Sequence, residues 1–118
     1  KNVFGKPLQV CSKDPLTGWN RDGYCTHRRE DGGKHLVCAT MNKDFLEYTK
    51  LKGNDLSTRS NHFPGLKPGD NWCICAERYT ESKRENHAPN VVLEATNQKA
   101  LKWQLVKNLL KHANRGSF

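Results

Sequence analysis

The sequence predicts a small α+β domain: a two-layer sandwich of three to four short strands and about three short helices joined by long loops. Three observations lead there. Two short apolar stretches, His35–Thr40 (HLVCAT) and Asn71–Ala76 (NWCICA), read as buried strands. Between them, Met41, Phe45 and Tyr48 recur at helical spacing. The chain has 118 residues, 35% of them apolar, with a mean hydropathy of -0.89, which allows one core over residues 1–118 and no second domain.

The elements follow in chain order. Residues 12–34 are loop-rich: Asp14-Pro15-Leu16-Thr17-Gly18 is turn chemistry, and Asp22-Gly23 and Gly32-Gly33 add further breaks. After the first strand, Asn42 is placed to cap a helix over residues 43–52, with Asp44 in its first turn, Lys50 and Lys52 in its last, and Gly53 just beyond. Residues 53–70 form a long loop with Pro-Gly turns at Pro64-Gly65 and Pro68-Gly69. The second strand precedes a charged segment, Glu77–Asn86, whose pairs Arg78–Glu81 and Glu81–Arg84 suit a short exposed helix with Tyr79 as its one sizeable apolar side chain. Val91–Ala95 reads as a third strand after Pro89, residues 97–101 as a helical turn, residues 103–105 as an edge strand, and residues 105–114 as a basic helix. The sheet is expected to be covered on one face.

Charge is unevenly distributed. The net charge is +8, and residues 99–118 hold Lys99, Lys102, Lys107, Lys111 and Arg115 with no acid after Glu94. A cationic end favours an anionic partner, here the surface of a larger assembly, acidic protein or RNA; the plain alternative is a solvated helix face. No run approaches the ~18 apolar residues of a membrane span. Lys1–Gly5 carries no apolar signal core, and a first residue other than Met leaves room for a removed leader. Length and composition exclude a multidomain enzyme, a membrane channel, a collagen and a long coiled coil.

Five cysteines, Cys11, Cys25, Cys38, Cys73 and Cys75, make an odd set. A closed disulfide framework would leave one over, and the density is below that of a stapled secreted domain. Free or metal-bound thiols in a reducing compartment, cytoplasm or organelle matrix, are therefore expected. On a strand, Cys73 and Cys75 share a face with Cα atoms roughly 6.6 Å apart, which disfavours a direct bond. Such a pair can clamp zinc, with Cys25, Cys38 or His35 completing a tetrahedron. Buried inert thiols are the first reading, a metal the second, and a redox or nucleophilic role the third.

No zinc-protease, nucleophile-elbow or phosphate-loop motif is present. His35 stands three residues before Cys38, and Asp22 or Asp55 could pair with it in a small hydrolase. Both aspartates lie in turn sequence, where they more often accept backbone amide bonds. Trp19, Trp72 and Trp103 read as core or interface aromatics.

The words Asp14-Pro15-Leu16-Thr17-Gly18-Trp19, Arg21-Asp22-Gly23, His35-Leu36-Val37-Cys38-Ala39, Gly53-Asn54-Asp55-Leu56-Ser57-Thr58, Phe63-Pro64-Gly65-Leu66-Lys67-Pro68-Gly69-Asp70, Trp72-Cys73-Ile74-Cys75-Ala76 and Leu93-Glu94-Ala95-Thr96 occur in order. In these the chain resembles the small, mainly bacterial domain-of-unknown-function family 2237 over about residues 2–113. The resemblance implies one α+β two-layer domain and brings no established activity, substrate or cofactor. Family members commonly carry a second cysteine where this chain has Tyr24 and a histidine where it has Asn97, so a shared thiol or metal site would be partly lost here. The resulting expectation is a non-catalytic structural or binding domain, an accessory subunit using its basic C-terminal surface. The alternative is a thiol or zinc protein built on Cys25, Cys38, Cys73, Cys75 and His35.

Overall fold

The computed structural model describes residues 1–32, 34–60 and 65–102. Among them the chain forms β1 (Val37–Thr40), α1 (Lys43–Leu51), β2 (Asn71–Ile74), α2 (Ala76–Arg84) and β3 (Asn90–Val91), then two 3₁₀ turns, Leu93–Ala95 and Gln98–Lys102. The strands make one antiparallel sheet in the order β2-β1-β3, so the α+β class read from the sequence holds. The expected edge strand at 103–105 and basic helix at 105–114 lie outside the described residues.

Local chemistry explains the firmest element. The Asn42 side chain accepts a hydrogen bond from the Phe45 amide at 2.6 Å, a cap of the kind that contributes about 1 kcal/mol. Gly53, at φ 93, takes the left-handed position after the helix and donates to the Lys50 carbonyl. Phe45, Leu46 and Tyr48 are buried, as the spacing requires.

Two expectations change. The segment after β2 is not simply an exposed helix: Tyr79 on α2 is fully buried, and Ala76 and Ser82 are buried with it. The strand expected over Val91–Ala95 stops early. Val92 still donates to the Cys38 carbonyl at 2.8 Å, but the Thr96 hydroxyl then donates back to the Val92 carbonyl and accepts from the Cys38 amide at 3.1 Å. One side chain thus satisfies the amide that a longer strand would have paired, and the chain turns.

The sheet separates two apolar clusters. Val37, Ala39, Trp72 and Ile74 pack with Met41, Phe45, Leu46 and Tyr79. Cys38 and Cys73, pointing the other way, pack with Cys11, Cys25 and Ala95. Both faces are therefore covered, one by helices and the other by the loop-rich first third, where one face was expected. That is why HLVCAT and NWCICA are apolar throughout instead of alternating.

Candidate functional site

The sulfurs come first, because they fix the loops that build the site. Cys11 is bonded to Cys38 and Cys25 to Cys73, with Cα separations of 5.7 and 5.4 Å. This corrects the expectation of free or metal-bound thiols for four of the five cysteines. The odd count resolves the other way, as two disulfides and a remainder, Cys75. The inference to a reducing compartment rested on unpaired thiols and loses that premise. Cys73 and Cys75 are not bonded to each other, as expected, but neither do they share a strand face: β2 ends at Ile74, and Cys75 sits at the N-cap of α2.

His35 is likewise not gathered with Cys25, Cys38, Cys73 and Cys75. Among the described residues, the three metal-capable side chains that converge are Cys11, Cys25 and Cys38, their sulfurs within 4.8 Å of one another. Cys11 had no place in the ligand set read from the sequence.

Beside the Cys25–Cys73 bond opens a cleft of about 520 Å³ lined by Gly18, Trp19, Arg21, His35, Leu56, Trp72 and Cys73. Its lip is a tight turn. Gly18, at φ 98, approaches the Tyr24 carbonyl so closely that a Cβ would lie 2.3 Å from that oxygen, so only glycine fits. Arg21 follows at φ 54, a left-handed conformation that costs a non-glycine residue free energy. Its backbone amide and Nη1 both donate to the Gly18 carbonyl, at 3.0 and 2.9 Å. The guanidinium lies 5.0 Å from the ring centre of Trp72, a cation–π distance. Across the cleft Trp19, 44% exposed, stacks on the His35 ring at 6.4 Å. Leu56 closes one side, its carbonyl held by the Leu66 amide at 2.7 Å.

His35 is oriented from behind by Asp31, which is only 1% exposed. One carboxylate oxygen accepts the His35 amide at 2.8 Å and the other meets Nδ1 at 2.7 Å. Burial by itself would raise the Asp31 pKa; hydrogen bonds from the His35 amide and ring and from the Lys34 amide outweigh it and hold the group below its ordinary value. An ionised carboxylate can only accept, so Nδ1 carries the proton and Nε2 remains for an incoming group.

The other carboxylates weighed from the sequence serve turns. Asp22 accepts the Tyr24 amide, and Asp55 accepts from Ser57 and Thr58. Neither is the partner of His35. Lys99 and Lys102 are exposed on the second 3₁₀ turn, whereas its Ala100 is buried. Lys107, Lys111, Arg115, Trp103, His62 and His112 lie outside the described residues. Asp31 was missed altogether; its one signal was the four-residue step to His35. Trp19 and Trp72 read from the sequence as core or interface aromatics, and only the fold brings both to one cleft with Arg21 over Trp72.

Asn97 is buried. Its Nδ2 donates to the Cys25 carbonyl at 3.0 Å and its amide to the Leu36 carbonyl at 2.9 Å. In this chain the position anchors the cysteine-bearing loop to the segment leading into β1.

Among the described residues no helix is long and apolar enough to cross a membrane. No curated protein matches the chain. The profile of an uncharacterised protein family conserved in bacteria, DUF2237, matches residues 1–113, so the chain belongs to the DUF2237 family.

Proposed function

We propose that this protein is a non-catalytic binding domain whose recognition site is the Trp19–Arg21–His35–Trp72 cleft, and that its ligand is a small organic carboxylate with a flat or apolar body. The observation that carries this reading is Arg21: a non-glycine residue held at φ 54, with its guanidinium over Trp72. Backbone strain persists where surrounding structure enforces it, and such places are enriched in binding sites. A guanidinium stacked on an indole presents its edge for contact with a carboxylate, and here Nη1 is partly engaged by the Gly18 carbonyl while Nη2 and Nε carry further donors. Trp19, Leu56 and Trp72 supply apolar walls, and His35 supplies a second polar contact. The lining residues include no hydroxyl and no free thiol, so the groups on offer stack, attract and donate instead of attacking.

Titration of the protein with benzoate, followed by tryptophan fluorescence, tests this. Saturable quenching that weakens with salt and is lost in Arg21→Ala supports it. Equal quenching by benzamidine, the cationic counterpart, contradicts it.

A second reading concerns the cationic end. Lys99 and Lys102 point outward while Ala100 packs inward, which orients this turn's charges toward solvent and favours docking on an anionic surface of a larger assembly. Lys107, Lys111 and Arg115 extend the same run of charge in sequence. Replacing Lys102, Lys107 and Lys111 with Gln should loosen association with the native partner and flatten its salt dependence; unchanged association removes this reading.

A further inference from the structure

We propose that the four bonded cysteines are a second site: reduction of both disulfides converts Cys11, Cys25, Cys38 and Cys73 into a tetrahedral thiolate site for one zinc ion. The sulfurs of Cys11, Cys25 and Cys38 already lie within 4.8 Å of one another, and the Cys73 sulfur is bonded to that of Cys25. Zinc–sulfur bonds of about 2.3 Å in a tetrahedron put neighbouring sulfurs about 3.8 Å apart; the Cys73 sulfur stands outside the group of three, so closing the tetrahedron takes its side chain swinging inward once the bonds open.

The cluster does not depend on the disulfides alone for its backbone positions. The Cys11 amide donates to the Gly23 carbonyl at 2.7 Å and the Cys11 carbonyl accepts from Asn71 at 3.2 Å. The Cys25 carbonyl is held by Asn97. The Cys38 amide donates to Thr96, and the Cys73 amide donates to the Thr17 hydroxyl at 2.9 Å. Cys38 and Cys73 are also register partners in the ladder. Each of the four is thus tethered by at least one contact that survives reduction, and the thiols are presented together instead of dispersing. Cys73 borders the cleft but is buried like the other three, so a dithiol reaches these sulfurs through local opening of the cleft wall.

The chemistry balances with a dithiol as reductant. Each disulfide takes two electrons and two protons from one dithiol, which leaves as its own disulfide. The four thiols then release four protons as they bind one Zn²⁺, leaving a site of charge −2 in a chain of net charge +8. All-sulfur tetrahedral donors select zinc over the harder divalent ions. Cys75 is outside the set, because it occupies the N-cap position of α2 beyond the end of β2.

The experiment uses the full chain, reduced with excess dithiol and exchanged into oxygen-free buffer, with Co²⁺ as a spectroscopic probe and Zn²⁺ as competitor. The expected result is one cobalt per chain with sulfur-to-metal charge-transfer bands and tetrahedral d–d absorption, displaced by zinc, retained in Cys75→Ser and lost in Cys11→Ser. Because Cys11→Ser can fail to fold, alkylation of the wild-type protein supplies a second readout. With zinc bound, mass mapping should find only Cys75 modified; without zinc, all five. Absence of the thiolate bands overturns the proposal, as does binding that needs Cys75, or four thiols that zinc does not shield.

Discussion

Cys38 and Cys73 face each other across the β1–β2 ladder, yet each is bonded to a loop cysteine and not to the other. That choice pins residues 11 and 25 onto the sheet face that has no helix on it and sets the walls of the cleft. The bonds close chain separations of 27 and 48 residues. Replacing either pair with alanine should lower unfolding stability by about 2–5 kcal/mol, with the larger loss for Cys25/Cys73 if loop closure dominates. Urea unfolding of the two double variants measures this.

The same sulfurs mark how far the sequence could be read. α1 was legible because its cap, stripe and terminal glycine are all local. The two central strands were legible as apolar runs. Cys11–Cys38 and Cys25–Cys73 were not, because disulfide pairing depends on where loops return in space, and spacing along the chain does not encode that. Likewise Trp19, Arg21, His35 and Trp72 come from three separate segments and meet only after the loops are stapled. Asp31 was concealed by Gly32-Gly33, which read as a plain break.

Arg21→Gly separates binding from stability. Glycine relieves the left-handed strain at φ 54 and forfeits the cation–π contact with Trp72 and the Nη1 hydrogen bond to Gly18, a gain and a loss that each amount to about 1 kcal/mol. Thermal stability should stay within about 1 kcal/mol of wild type while carboxylate binding disappears. A large stability loss would mean that Arg21 is a structural residue.

Gly18→Ala should be far more costly. The new Cβ would sit 2.3 Å from the Tyr24 carbonyl oxygen at φ 98, whereas at Gly53, φ 93, nothing lies within 4 Å. Gly53→Ala should lose about 1 kcal/mol from strain alone; Gly18→Ala should exceed that and disturb the cleft. Chemical denaturation of both variants checks the order.

Tyr79 buries its ring on α2, and its hydroxyl has no hydrogen-bond partner among the described residues. Burial pushes its pKa up to about 12. Tyr79→Phe should be neutral or stabilising by about 1 kcal/mol, since it removes an unsatisfied buried group, while Tyr79→Ala should lose about 3–5 kcal/mol to the cavity. A marked loss in Tyr79→Phe would reveal a partner for the hydroxyl.

Asp55 sets an acid dependence. The Thr58 and Ser57 hydroxyls lower its pKa from 3.8 to about 2. A depressed folded value means that this contribution is fully present above the unfolded value and is lost as pH falls from about 4 to about 2. Asp55→Asn should flatten the stability profile in that window and leave neutral pH dependence unchanged; identical acid profiles would contradict the assignment.

The central claim is that ligand enters between Trp19 and Trp72 onto Arg21. Heteronuclear NMR of the oxidised protein titrated with benzoate tests it most directly. The account predicts saturable shifts at the Trp19 and Trp72 indole N–H signals and at the Arg21 and His35 amides. Shifts confined to Lys99 and Lys102, or none that saturate, would contradict it.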